Sequence, residues 1–334
     1  MSEVDTSSLP PLVFEPRFVE KIWGGRRLET SLGKKLPEGK AVGESWEIYD
    51  FPPGVVEGSA GWASAVVATG KLKGKTLHEL MQTHEAALLG DKKGVETSAG
   101  KQFPLLIKFL DAKEDLSIQV HPTPEYAAKH AGAALKTECW IILDHAPGAQ
   151  LYKGLKAGVT KEKFEGDIKN GQVAELVELV PAKKGDCHFL PSGSVHALGA
   201  GVLVAEVQTP SDTTYRVFDF NRVEAGTGKP RKLHVKEALE VIDFEKTALP
   251  PVTSMKLEAA PLVDCEFFRT VTVSAKAHAV RALPRGQIKI WMVTEGSVKL
   301  RWGTQSLVVK KGQSVLLPAG GVGNLTAQFG VNTT

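Results

Sequence analysis

The chain has 334 residues, 42% of them apolar, enough to build more than one buried core and too many for a disordered scaffold. Its 41 basic and 38 acidic residues leave a net charge of +3; the charges are scattered, with no basic block of the kind that tracks nucleic acid or anionic lipid. No apolar run reaches the roughly 20 residues of a spanning helix, and MSEVDTSSLPPLVF lacks the basic and apolar regions of a secretory signal, so the expectation is a cytoplasmic protein without membrane or nucleic-acid partners.

Residues 1 to 12 read as a flexible lead. FEPRFVEKIWGGRR and ESWEIYDF then give short aromatic and β-branched runs bounded by Gly and Pro, which predict strands. Thr76 with Glu79 forms a capping-box pattern, and Leu77, Leu80, Met81, His84 and Leu88 recur at helical steps, predicting a short helical segment over about 74–92. FPLLIKFLDA, LSIQVHP and ECWIILDH return to strand character, with a brief helix opened by Thr123-Pro124-Glu125. Thr160 to Asn170, stopped by Gly171, and Val235 to Phe244 read as further helices. The Pro250-Pro251 pair is the best linker, and the residues beyond it have strand patterning and no clear helix. The expected division is 1–250 and 251–334, in a mainly β chain with 33 glycines and 19 prolines for tight turns.

An internal echo organises the strands. GDCHFLPSGSVH (185–196) and GQSVLLPAGGVG (312–323) share Gly, five residues, Pro, one residue, Gly, and the second copy has Gly323 where the first has His196. Physically this is a strand entered from a glycine turn and closed by a Pro-x-Gly turn, with the histidine just past it. The spacing resembles a motif of the cupin superfamily. That resemblance implies two jelly-roll barrels, the first carrying a metal-type histidine and the second lacking it.

Strand periodicity shows which side chains can meet. Ser117, Gln119 and His121 share one face of LSIQVHP, and Lys136, Glu138 and Trp140 align in KTECWIIL. Ionisable groups aimed into a barrel are costly unless paired or metal-bound. Gln119, His121, Glu138 and His196 offer two nitrogens and two oxygens, a donor set for a borderline ion such as zinc rather than magnesium. Either histidine alone would read as structural; the four together point to a metal. His188 reads as structural, its partners Asp186 and Leu190 forming no ligand set, and the other six histidines have no clustered partners. Cys139, Cys187 and Cys265 are too few for a disulfide framework and form no Cys-x-x-Cys pair, so they read as small core residues. In GVLVAEVQTPSDTTYRVFDFNR, Glu206 and Gln208 share a strand face, Asp212 lies in a turn, and Arg216 comes next on a further strand. Arg216 either pairs with a surface acid or brings a guanidinium to a phosphate or an oxyanion.

The ordered set IWGG, GESWE, FPLLIKFLDA, LSIQVHP, KTE, GDCHFLPSGSVHALG and EVQTPSDTTYRVFDFNR resembles the type I mannose-6-phosphate isomerases of the short bacterial class, over about residues 14–245. The resemblance implies zinc bound by Gln119, His121, Glu138 and His196. It further implies catalytic Arg216, with Glu206, Asp212, Lys136, Ser117 and Lys108 lining the pocket and Trp23 and Glu44 near it. Thr137 departs from longer relatives, which carry proline there. The implied reaction interconverts mannose 6-phosphate and fructose 6-phosphate by moving a proton between C2 and C1 through an enediol or enediolate. Glu206, Asp212 and His121 are each possible as the base; Lys108, Lys136 and Ser117 are candidates for the phosphate or the sugar hydroxyls. One zinc per chain is expected, since the second barrel has only His278, in a monomer or small homo-oligomer. The competing readings are a metal-dependent cupin oxygenase, which would favour iron and an apolar pocket, and a non-catalytic sugar-phosphate-binding double cupin.

Overall fold

The computed structural model describes residues 8–223, 228–245, 250–253, 259–331 and 333–334. The aromatic and β-branched runs form short strands. β1 (Arg17–Gly25) and β2 (Val42–Ile48) flank the single turn α1 (Arg27–Thr30), and the small pair β3 (Asp50–Phe51) and β4 (Ala63–Ser64) leads to α2 (Leu77–Leu89). The predicted capping box starts α2: Glu79 N donates to Thr76 Oγ1 at 3.1 Å and Thr76 N to the Glu79 carboxylate at 2.7 Å. A second small pair, β5 (Val95–Thr97) and β6 (Gly100–Gln102), precedes β7 (Leu106–Ala112) and β8 (Ile118–Val120). α3 (Pro124–Ala127), capped by Thr123, separates these from β9 (Glu138–His145) and β10 (Gln150–Leu155). α4 (Lys161–Lys169) is followed by β11 (Val177–Pro181), β12 (Asp186–Leu190), β13 (His196–Leu198), β14 (Val202–Gln208) and β15 (Tyr215–Phe218). α5 (Val235–Val241) ends short of the expected Phe244 because Ile242 turns extended, at ψ 128°. The chain then continues through β16 (Val252–Thr253), β17 (Ala259–Asp264), β18 (Arg269–Val273), β19 (Val280–Ala282), β20 (Lys289–Met292), β21 (Ser297–Trp302), β22 (Gln305–Lys310), β23 (Ser314–Leu317) and β24 (Thr326–Phe329).

Two antiparallel sheets enclose the first core. One runs β1-β2-β7-β14-β9-β12-β16 and the other β11-β10-β13-β8-β15. Between them lie Trp23, Leu110, Trp140, Leu151, Leu198 and Val204, contributed by both sheets. Alternate residues of the five-stranded sheet, Ile118, Val120, Ala197 and Val217, point the other way and pack under α4 and α5 with Phe164, Ile168 and Val241. The seven-stranded sheet is likewise covered on its outer face, by Leu28, Leu32 and Leu36 against Phe109, Leu203 and Ala205. Coverage on both sides leaves every residue of β2 and β7 buried. The architecture is mainly β and of the cupin type.

In the C-terminal part, β19-β24-β21-β22 and β20-β23 surround Val298, Leu300, Val309, Val315, Leu317 and Phe329. The repeated motif occupies equivalent places: Gly185 and Gly312, at φ 91° and 77°, turn the chain into β12 and β23. A Cβ on Gly312 would sit 2.2 Å from Leu32 O, so this turn also needs glycine for close approach. Nearby, Lys34 Nζ donates to Glu47 Oε1 and to Gly312 O, both at 2.7 Å and both buried.

The N-terminal lead requires correction over its described part. Leu9 and Leu12 are buried, and Leu12 exchanges two 2.8 Å backbone hydrogen bonds with Leu316 of β23. Leu12 bridges Leu316 and Leu9 bridges Gly321, two separate points of the C-terminal part, so residues 9–12 are docked. Residues 1–7 lie outside the described residues.

Candidate active site

Strand register sets two polar rows facing the first core. Cα partners run Lys153, His196, Gln119, Arg216 across β10, β13, β8 and β15. In the opposing sheet they run Trp46, Lys108, Glu206, Trp140, His188 across β2, β7, β14, β9 and β12. Directly paired residues share a face, so residues distant in sequence converge.

His121, Glu138 and His196 form the densest part, with ligand atoms within 4.8 Å of one another. His196 Nε2 lies 3.1 Å from Glu138 Oε1 and His121 Nε2 3.6 Å from Oε2. Each ring is turned by its other nitrogen: His121 Nδ1 is 3.1 Å from Thr213 O, and His196 Nδ1 is 2.9 Å from Ser194 O. A carbonyl only accepts, so both Nδ1 atoms carry the hydrogen, and in the neutral rings both Nε2 atoms present lone pairs. Neither Nε2, nor either oxygen of Glu138, makes a hydrogen bond, and all four atoms are buried. Lys136 Nζ, 2.9 Å from Glu138 Oε2, offsets only one side of the cluster; the two imidazole lone pairs still face the carboxylate and repel it unless a further cation joins them. These residues therefore fit a metal ion. Gln119, the cross-strand partner of His196, shares its face and lines the adjoining pocket.

Charges around the cluster reinforce this. Burial would raise the Glu138 carboxyl, but Lys136, its Nζ 2.9 Å from Oε2, and His121 outweigh it and hold Glu138 well below the usual range. Burial, then Lys136, lowers His121 to about 3; burial and Lys153 lower His188 to about 4. Both imidazoles stay neutral when folded, whereas the unfolded chain takes up protons below about pH 6.5. Acid thus favours unfolding: the stability these rings contribute is complete above about 6.5 and is lost as pH falls toward 4 and then 3. The thermal midpoint of chelator-treated protein should drop steadily from pH 7 to pH 4; a midpoint that holds or rises would contradict the neutral assignment.

A pocket beside the cluster gathers the remaining expected residues. Trp23, Ser117, Gln119 and Trp140 line it with the carboxylates Glu44, Glu206 and Asp212. Five cations, Lys21, Lys108, Lys136, Arg216 and Arg231, line it too. Lys108 Nζ sits 3.0 Å from Glu206 and 3.5 Å from Glu44; against its burial, those two carboxylates raise its pKa and keep it charged. Burial would raise Glu44, but Lys108, Lys21 and a 2.6 Å hydrogen bond from Trp46 hold it far below the carboxylate range. Glu206 shifts upward, driven by burial despite Lys108, while Trp140 Nε1 donates to it at 2.8 Å. Arg216 Nε donates to Ser117 Oγ at 3.1 Å and Nη1 to Lys232 O at 3.1 Å. The structure thus brings together all the expected site residues, with Asp212 exposed on the rim.

Sequence reasoning missed Lys21, Thr214 and Arg231 among the lining residues. It also assigned no partners to His78 and His234. His78 stacks on Trp62 at 3.5 Å, with Nδ1 3.5 Å from Asp50, because β3 and α2 meet in the fold. His234 exchanges backbone contacts with Arg216: its N donates to Arg216 O at 2.8 Å and its Nδ1 accepts from Arg216 N at 3.4 Å. His188, read as structural, is fully buried with no hydrogen bond to either ring nitrogen. The three cysteines join one apolar cluster with Leu262, Val263 and Phe268, as small core residues do.

A family model described as phosphomannose isomerase type I, catalytic domain, matches residues 12–139. The mannose-6-phosphate isomerase ManA of Bacillus subtilis (strain 168) is 38% identical over 315 residues, 93% of either chain. The mannose-6-phosphate isomerase of Streptococcus mutans is 35% identical over 311 residues, 92% of either. A crystal structure of the mannose 6-phosphate isomerase from Bacillus subtilis, 33% identical, matches with a TM-score of 0.82 over 97% of this chain and 98% of that one. A putative mannosephosphate isomerase from Archaeoglobus fulgidus, at 22% identity and a TM-score of 0.71, shares the fold. Aligned over more than nine-tenths of its length with relatives above 30% identity, the chain belongs to the type I phosphomannose isomerase family, a family of isomerase enzymes.

Proposed function

We propose that the chain is a zinc-dependent aldose-ketose isomerase interconverting mannose 6-phosphate and fructose 6-phosphate, working in the cytoplasm. The observation that carries this reading is the convergence of four unbonded acceptor atoms of His121, Glu138 and His196 beside a pocket lined by five cations. Gln119 completes the ligand set. Two histidines and one carboxylate also suit non-haem iron, but the cationic lining favours a phosphorylated sugar over the apolar substrates of an oxygenase. Among the described residues no second group of metal-type side chains converges, which supports one ion per chain and a metal-free unit over 251–334, with 1–250 carrying the chemistry.

When bound, the ion supplies Lewis acidity for a sugar oxygen. The protein's own residues then have separable tasks. Arg216, one strand from Gln119 in the same row, faces the oxygens on which enediolate charge develops. His121 is committed to the ion through Nε2, leaving Glu206 and Asp212 as pocket carboxylates able to take the C2 proton. The upward shift of Glu206 is the direction that suits a base near neutral pH. Lys108, wedged between Glu44 and Glu206, keeps a proton donor beside that carboxylate, while Lys136 holds Glu138 ionised. Trp23 and Ser117 shape the wall against which the sugar lies.

Mannose 6-phosphate deuterated at C2 tests the reading. Purified protein should produce fructose 6-phosphate with deuterium partly exchanged for solvent hydrogen. No product, or product from chelator-treated protein at the full rate, would refute it.

A further inference from the structure

Beyond His196 the two polar rows end in a pair of side chains that the isomerase chemistry leaves unused. Lys153 is the cross-strand neighbour of His196, and His188 is that of Trp140. The rings of His196 and Trp140 meet at 5.3 Å between centroids, so the rows oppose each other and Lys153 and His188 face across the same layer of the barrel. Both are buried, at 3% and 0% exposure. Neither Lys153 Nζ nor either ring nitrogen of His188 makes a hydrogen bond. Leu151, on the face of Lys153, belongs with Trp140, Ile142, Ala182 and Leu198 to one apolar cluster, and neither Lys153 nor His188 lines the substrate pocket.

Lys153 is unlike the other buried lysines. Lys34, Lys108 and Lys136 lie 2.7, 3.0 and 2.9 Å from a carboxylate oxygen, whereas Lys153 has no such partner among the described residues. Burial lowers it to about 8 with no carboxylate to offset that cost, and at neutral pH it still carries its proton. Asp186, two residues from His188, is engaged by Thr253, whose Oγ1 donates to it at 2.8 Å, and Glu178 on the neighbouring β11 is exposed. The ammonium brings three N–H donors and the neutral imidazole one, against a single acceptor, the bare nitrogen of that imidazole. A buried cation with surplus donors and no acid asks for a negative partner.

We propose that Lys153 and His188 form a closed site for one small monovalent anion of halide type, the ammonium supplying the charge and the imidazole a further N–H. One ammonium matches one unit of negative charge. A phosphate or sulfate would bring several oxygens into walls of leucine, isoleucine and alanine that cannot donate to them. The bound anion also cancels a charge set one strand from His196, so that Lys153 does not repel an ion held by that histidine.

Crystals of the full chain soaked in sodium bromide, with data recorded at the bromine absorption edge, test the site directly. An anomalous peak should lie between Lys153 Nζ and the His188 ring in wild type and be missing in Lys153→Met, which keeps much of the side chain without its charge. In solution, chloride exchanged for gluconate at constant ionic strength should raise the thermal midpoint of wild type along a saturating curve. Lys153→Met should show no such rise, and His188→Phe should need roughly 10- to 100-fold more chloride, the cost of one hydrogen bond to a charged group. If Lys153→Met fails to fold, His188→Phe still reads the shift. Density without an anomalous signal at that point would place a water there and overturn the proposal, as would a wild-type midpoint blind to chloride or a chloride response unchanged in the variants. None of these readouts involves turnover, so the anion site stands or falls apart from the isomerase reading.

Discussion

Replacing Arg216 by alanine should depress kcat by roughly 100-fold or more, the usual cost of a lost oxyanion donor and equal to about 2.7 kcal/mol or more of barrier. The reason lies in its position. Arg216 is paired across the sheet with Gln119 and is oriented by Ser117 and Lys232, so in the proposed mechanism its guanidinium meets full negative charge only as the enediolate forms. Steady-state kinetics with metal content checked in the same preparation measures this. A raised KM at constant kcat would instead make Arg216 a ground-state anchor.

Replacing His196 by alanine should have the larger effect. The substitution deletes one of the two imidazole donors, and the remaining Gln119, His121 and Glu138, with a single nitrogen among them, are too weak a set to hold a borderline ion against dialysis. Activity should fall by roughly 1,000-fold or more, since a Lewis acid is worth several kcal/mol of transition-state charge. The fold should survive, because Leu151, Leu198 and Val204 beneath the site still pack together and one unpaired acceptor has been removed from it. Circular dichroism, elemental analysis and the isomerase assay together check the prediction. A metal-free His196→Ala protein with substantial turnover would rule out the proposed ligand set.

Much of this centre was legible because strand periodicity is local. Ser117, Gln119 and His121 alternate with Ile118 and Val120, and the fold keeps that alternation, polar residues toward the pocket and aliphatic ones under the helices. The capping box of Thr76 and Glu79 is equally local. Contacts set by sheet order are a different matter. Lys108, Glu206 and Trp140 meet because β14 inserts between β7 and β9, which no spacing announces, although the family resemblance placed Lys108 and Glu206 near the substrate. Arg231 lies beyond β15 in an irregular stretch without a period to read, and its place in the pocket wall emerges only from the fold. Leu9 and Leu12 looked like an unstructured lead because their partners, Gly321 and Leu316 of β23, lie at the far end of the chain.

The most direct test of the metal centre is a titration of zinc into chelator-stripped protein, counting bound ions by elemental analysis while following conversion of mannose 6-phosphate. Activity should rise in proportion to bound zinc and level off at one ion per chain, and His196→Ala should neither bind the ion tightly nor respond to it. Full turnover by stripped protein, or activity that levels off only at two tightly held ions per chain, would contradict a single catalytic ion held by Gln119, His121, Glu138 and His196.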